Sequence, residues 1–384
     1  MIREVILVTA GDSKDPANWS NVPYLFAKTL ESKGIIVHRV HYNPTKFIKK
    51  LYTHIAYKIH CITKSDSFRG IVYSTTGSLI AFPKILFGIL KYRKSDCCIF
   101  MGAGYANFWT KMPSVMFMER SFEKKLKDEY HRELTMLERL VAYRENFAWK
   151  KSSFISILFP RDMDFVKSKV PNVNIKYKGS NVINSFFKGT LNEDIIKQKQ
   201  KSLHILFIGG SHYKDGAKML IEAFKILKCE IHGLELDIIG LKDNDINEHI
   251  NGVNFYGYLR KDVSEENALY YELLEKAKVY VNPTPSWGAY SSCIEAMYFY
   301  TPCVIHPYEH FVSEFGDNIE FGKYNQVYSP LELAKDIKEI LISNRYVSMS
   351  KNAHEVVKDY SWDSYIEWFL NETEKAIKKR KKHV

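Results

Sequence analysis

Three clusters of residues in this chain sit at spacings that suit anion chemistry. Ser291 and Ser292 follow a small-residue loop that closes the apolar run VYV (279–281), and Glu295 stands one helical turn further on. Ser211 and Lys214 follow the paired glycines Gly209 and Gly210 at the end of a second apolar run, HILFI (204–208). Glu119 and Arg120 come directly after a third, SVMFM (114–118). A strand that ends in small residues and feeds a helix leaves unpaired N–H groups at the loop, and the helix dipole makes that spot positive. Hydroxyls at 291 and 292 add donors there, and Lys214 adds a full charge. The ligand this arrangement suits is a nucleotide diphosphate. A lysine and a helix N-terminus can neutralise a departing diphosphate without a metal. No strand is expected to end in D-x-D, so neither a metal nor another cofactor is expected.

Each of these residues also has a purely structural reading. Lys214 suits an exposed helix start, Ser291 and Ser292 suit helix caps, and Glu119 suits a cap or an ion pair. His212 reads as a loop residue. Glu295 is harder to place in this way, because it falls inside an apolar helix and carboxylates are seldom buried without partners.

The elements that must position these residues alternate along the chain. EVILVT (4–9) reads as a strand, followed by a loop holding Gly11, a helix from Val22 and the strand GIIVHRVHY (34–42). This β-loop-α-β opening is the mark of a parallel sheet. Gly11 falls just past the first strand, where open α/β sheets bind ligands, although the loop lacks G-x-G-x-x-G. Strands follow at 96–102 and 114–118, a long polar helix at 131–150, a strand at 153–158, a helix opened by Pro160, and a strand at 174–179. The rhythm lapses over 180–202 and resumes at 204. Further strands are expected at 234–240, 253–259, 279–281 and 303–305, with helices from 218, 264, 291, 330 and 346 and a terminal amphipathic helix over 361–384.

At 384 residues the chain calls for two α/β domains rather than one core. The start MIREVILVTA reads as a strand, not a leader, and LIAFPKILFGIL (79–90) is too short and too interrupted by Pro83 and Lys84 to cross a bilayer. Six cysteines without metal or C-x-x-C spacing read as buried reduced thiols and suggest a cytoplasmic protein. The net charge of +11 is uneven: residues 1–185 hold 30 Lys/Arg against 15 Asp/Glu, whereas the remaining 199 hold 25 against 29. The first half therefore suits an anionic partner or simply carries solvated lysine faces. Residues 45–61, with Phe47, Ile48, Leu51, Ile55 and Ile59 among four lysines, form an amphipathic helix that fits either an anionic membrane surface or a domain core. No nucleic-acid module accompanies the charge, so nucleic acid is not expected as a partner.

With these elements in place, the chain resembles glycosyltransferase family 4, retaining enzymes of the GT-B fold. The resemblance is carried by IGGSHYKDGAKMLIEAF (208–224), NFYGYLRK (254–261) and CIEAM (293–297), and more moderately by WSNVPYLFAKTL (19–30), which is similar to W-S-G-x-P-Y-x-x-A-x-x-L. It implies an α/β protein of two Rossmann-like doubly wound domains facing a central cleft. Residues 1–185 would form the acceptor domain, joined by the terminal helix 361–384, with a linker at 186–202 and a nucleotide-sugar domain at 203–360. The implied activity moves a sugar from a nucleotide-sugar to a cell-envelope glycan or lipid-linked acceptor, in the cytoplasm or peripherally on the inner face of the cell membrane.

The resemblance also implies roles. Lys214 would hold the donor diphosphate, with Gly209, Gly210 and Ser211 letting the backbone approach. Tyr258 and Leu259 would edge the base. Tyr290, Ser291 and Ser292 would line the helix start, and Glu295 would bond the ribose hydroxyls. Gly11 and Asn21 would bound the donor from the first domain. Glu119, where relatives often carry Asp, joins Lys214 as a catalytic candidate. Three positions depart from the pattern: Gly210 replaces a frequent Arg, Asn21 a glycine, and Trp287 the first of two glutamates, the one near the transferring sugar. In a front-face retaining mechanism the leaving phosphate takes the acceptor proton, which lessens the need for a carboxylate at 287. The alternative is a catalytically weakened GT-B protein that binds a glycan or a partner.

Overall fold

A computed structural model gives the fold and describes all residues except 43, 64–73, 103, 180–181, 184–185, 188, 247–249, 286–289 and 383–384. Trp287 therefore lies outside the described residues. The chain divides into two compact units, Met1–Ser180 with Trp362–Val384, and Asn181–Ser361.

The first unit runs β1 (Glu4–Thr9), α1 (Val22–Ser32), β2 (Ile36–His41), α2 (Lys46–Thr63), α3 (Thr75–Lys91), β3 (Cys97–Met101), β4 (Ser114–Met118), α4 (Phe122–Tyr130), α5 (Met136–Lys151), β5 (Phe154–Ile157), α6 (Pro160–Lys169) and β6 (Ile175–Tyr177). Its strands lie in the order β2-β1-β3-β4-β5-β6, all parallel. β3, β4 and β5 are buried at every position, as strands covered by helices on both faces must be. The strand order reverses between β1 and β3, which makes their C-terminal ends the natural crevice.

The second unit contains α7 (Ile195–Lys201), β7 (His204–Ile208), α8 (Lys214–Glu230), β8 (Glu235–Ile239), α9 (Asp243–Ile246), β9 (Val253–Gly257), α10 (Ser264–Lys276), β10 (Ala277–Asn282), α11 (Ser291–Tyr298), β11 (Cys303–Ile305), α12 (Glu309–Phe315), β12 (Gly322–Tyr324), α13 (Pro330–Leu341) and α14 (Tyr346–Val357). Its sheet is again wholly parallel, in the order β12-β11-β10-β7-β8-β9, and reverses between β7 and β10. The last helix, α15 (Trp362–Lys382), belongs to the first unit. Its Phe369 ring meets Phe26 of α1 at 5.3 Å and Phe154 of β5 at 5.6 Å.

Several expectations are corrected. The described residues of 186–202 do not form a linker. They lie in the second unit, where Ile195, Ile196 and Lys199 of α7 are buried. Lys199 Nζ donates to the carbonyls of Leu274 and Ala277 at 2.6 and 2.9 Å and to Thr301 Oγ1 at 2.9 Å. Burial pulls its pKa down to about 7. The first unit accordingly closes at 180 rather than 185. The helix expected over 131–150 begins at Met136, because His131 takes a left-handed φ of 48° and ends α4, and Thr135 with Glu138 forms a capping box that starts α5. The helix expected from 218 begins at Lys214. α3 continues past Pro83 and Lys84. No described helix is long and apolar enough to cross a membrane. Cys97, Cys98, Cys293 and Cys303 are free and buried, while Cys229 is free and exposed.

Candidate functional site

In the second unit the crevice between β7 and β10 gathers most of the residues singled out from the sequence. Gly209 and Gly210 end β7, a 3₁₀ turn covers Ser211–Tyr213, and Lys214 is the first residue of α8. Neither this turn nor α8 has a side-chain cap; the Lys214 N–H donates to the Ser211 carbonyl, so the backbone donors offered to a ligand here belong to the start of the turn. Among the described residues Lys214 Nζ has no ion-pair partner. Two close backbone approaches shape the loop. A Cβ on Gly240, where φ is +101°, would lie 2.5 Å from the Gly209 carbonyl oxygen, and one on Gly216 would lie 2.2 Å from Thr284 Oγ1. Gly210, by contrast, faces open space.

On the β10 side, Asn282 is fully buried and its Oδ1 accepts from the Thr284 N–H at 3.1 Å. Thr284 Oγ1 is buried and has no partner among the described residues. α11 then starts at Ser291 after Tyr290, again without a side-chain cap. Tyr290 is fully buried, with its ring 5.1 Å from Phe311. Ser292 Oγ bonds the Tyr280 hydroxyl at 2.9 Å, whereas Ser291 makes no such bond among the described residues. Lys214, the turn before α8 and the start of α11 thus follow the C-terminal ends of the adjacent strands β7 and β10, a placement suited to phosphates.

Glu295 sits below this surface at 2% exposure. Its Oε2 accepts from Lys261 Nζ at 2.5 Å and the Tyr270 hydroxyl at 2.8 Å, and its Oε1 accepts from the Tyr271 hydroxyl at 3.1 Å. Burial lowers the Lys261 pKa and the Glu295 charge opposes that shift. Burial and Glu295 both push the Tyr270 hydroxyl up, so it stays a donor. This network ties α11 to α10 and to the loop after β9, where Tyr258 is 62% exposed and Leu259 is buried. Lys261 was not singled out from the sequence, although its place in YLRK, after a strand, carried the signal.

The first unit holds a separate cavity of about 550 Å³ at the β1/β3 crevice. Gly11 and Glu119 both line it, whereas Asn21 is not among its lining residues. Asn21 is buried and left-handed, with φ 72°, behind Trp19 and Ser20 at φ 43° and 50°. Three successive non-glycine residues in this region store strain at the lip of the cavity, which Trp19 lines. The cavity also takes in Lys49, Lys125, Arg144 and Glu145. Arg144 Nη1 donates to the Ser74 carbonyl at 3.2 Å and to Ser78 Oγ. Glu145 accepts the Phe122 N–H at 2.9 Å, and burial pushes its pKa up to about 8. A carboxyl that keeps its proton near neutrality can donate as well as accept. In sequence, Glu145 falls on the stripe Val141, Glu145, Ala148 and Trp149 that faces the core, and a charge on an apolar stripe was the available signal.

Comparison with known proteins bears on the second unit first. Residues 202–342 match the family model of the glycosyl transferases group 1. The match contains the whole sheet β7–β12 and both helix starts of the crevice. No curated protein matches the chain. Among solved structures, a sucrose-phosphate synthase from Thermosynechococcus elongatus is similar at 13% identity and a TM-score of 0.64, over 97% of this chain and 98% of that one. HepE from Anabaena, solved with UDP and glucose, is similar at 14% identity and 0.63, over 98% and 100%. WaaG, a glycosyltransferase involved in lipopolysaccharide biosynthesis, is similar at 15% identity and 0.63, over 94% and 97%. At these identities the likeness shows the fold, a two-domain GT-B architecture.

Proposed function

We propose that this chain is a glycosyltransferase of the retaining, family 4 type, which moves a sugar from a nucleotide-sugar to a glycan or lipid-linked acceptor. The second unit takes the donor and the first unit the acceptor, in its 550 Å³ cavity. The observation that carries the reading is the placement of Lys214, the turn Ser211–Tyr213 and the uncapped start of α11 after the C-terminal ends of the adjacent strands β7 and β10, inside the segment that matches the group 1 glycosyl transferases. There the leaving nucleoside diphosphate gains charge stabilisation without a metal, and its own oxygen can accept the acceptor proton. Uridine nucleotides head the candidates, since HepE was solved with UDP. Glu119 and Glu145 are the carboxyls that would meet an acceptor hydroxyl. The setting proposed is cytoplasmic, at the inner face of the cell membrane.

A second reading is favoured by one residue. Trp287 stands where relatives place the glutamate near the transferring sugar, and a binding protein with weakened turnover would carry such a change. Release of nucleoside diphosphate from a panel of UDP-, GDP- and ADP-sugars, with and without envelope extract, separates the two. Extract-dependent release supports the enzyme. Tight donor binding with no release on any acceptor assigns the weakened form.

A further inference from the structure

The first unit carries an apolar surface that its own core does not use. α3 buries Ala81, Ile85 and Ile89 on one side. On the other side Leu79 and Phe87 are each 70% exposed, with Ile80, Phe82 and Leu90 beside them. A helix that is apolar all round is normally buried all round. α5 repeats the pattern: Met136, Leu137, Leu140, Tyr143 and Phe147 share one helical face and are all exposed. The loop between β3 and β4 joins the two faces. The Phe82 ring meets Trp109 at 5.2 Å, Trp109 meets Phe108 at 4.3 Å, and Phe108 meets Phe147 at 5.3 Å. The apolar surface is therefore continuous from α3 through the loop tip to α5.

The surrounding charge selects what covers it. Residues 44–118 hold eleven Lys/Arg against two Asp/Glu. Exposed Lys84 and Lys91 run along one edge of the α3 face, and exposed Arg139 and Lys150 along one edge of the α5 face. Protein–protein interfaces are depleted in lysine. An anionic lipid surface instead takes apolar side chains into the acyl boundary while lysine stems reach back to the head groups. We propose that the first unit docks on an anionic bilayer through α3, the Phe108–Trp109 tip and α5, and not through α2 alone. α5 also lines the cavity, with Val141, Arg144 and Glu145. A lipid-linked acceptor anchored in the bilayer would thus present its head group to the cavity; that step rests on the glycosyl-transfer reading, and the docking does not.

Vesicle flotation of the full chain tests the docking, with phosphatidylcholine vesicles compared against vesicles that also contain phosphatidylglycerol. The wild type is expected to float with the anionic vesicles and much less with the neutral ones. The double variant Phe87→Asp/Leu140→Asp should lose about tenfold or more of its bound fraction, because two apolar side chains leave the acyl boundary. Its melting temperature should be unchanged, since both positions are exposed. A wild type that stays below the anionic vesicles overturns the proposal, as does a double variant that floats equally well. A wild-type dimer that the same variant dissociates, without flotation, would assign the face to a second copy of the chain instead. Melting shifts with nucleotide-sugars read the donor crevice and separate this outcome from the fate of the functional reading.

Discussion

Glu295 can be buried only because three donors surround it. Its partner Lys261 keeps only a tenth of its side chain exposed, so the two charges depend on each other. Removing one partner strands the other, which typically costs about 3–5 kcal/mol. Glu295→Ala should therefore lower the unfolding free energy by about that much in a denaturant titration, and Lys261→Met in the same chain should restore much of it. A single variant as stable as the wild type would show that the pair is not load-sharing in this way. Glu145 makes a second prediction. Its folded pKa of about 8 stands above the ordinary 4.5 because burial disfavours the charge. Between these values the folded protein holds a proton that the unfolded chain has lost, so this group's contribution falls as pH rises through that window. Glu145→Gln keeps the acceptor for the Phe122 N–H and removes the titration. Its stability relative to wild type should rise from about pH 5 to about pH 9, by on the order of a few kcal/mol. A difference that does not change with pH would contradict the assignment.

At the scale of elements, the donor crevice depends on how closely three loops approach. Gly240 has no room for a side chain, since its positive φ and the Gly209 carbonyl both exclude one. Gly240→Ala should cost about 1–3 kcal/mol and lower the melting temperature by a few degrees. Gly210→Ala, which faces open space at φ −84°, should leave the melting temperature alone, so that any loss of nucleotide binding there reports the ligand and not the fold. Equal destabilisation by both changes would contradict this geometry. Elements with strong apolar runs were legible beforehand: β1, β3, β4, β7 and β10 fall where the runs do. α7 was not legible, because IIKQKQK shows only two apolar residues and hides a buried lysine whose partners lie 75 or more residues away. α3 was not legible as a surface, because an apolar helix in sequence looks the same whether its outer face meets a core or water.

The whole molecule repeats one device: each unit is a parallel sheet whose strand order reverses once, and each has its candidate residues at that reversal. The alternation of strands and helices and the group of Lys214, Ser291, Ser292 and Glu295 could be read from residue order, since the crevice of such a sheet follows from its topology. What Glu295 bonds to could not, because Lys261, Tyr270 and Tyr271 reach it from two other elements. Glu145 left a trace as a charge on the apolar stripe of α5, but the cavity that it and Arg144 line is assembled from several elements and could not be read from residue order. The excess of positive charge in the first half, in contrast, was visible at once, and the structure adds the apolar face that it surrounds. On the proposed function, the β7/β10 crevice binds a nucleoside diphosphate through Lys214 and two helix starts. The most direct test is calorimetric titration of UDP, GDP and ADP into the full chain and into Lys214→Ala. Saturable binding of at least one of them is expected, weakened about tenfold or more in the variant. No binding of any of the three, or equal affinity in the two proteins, would contradict it.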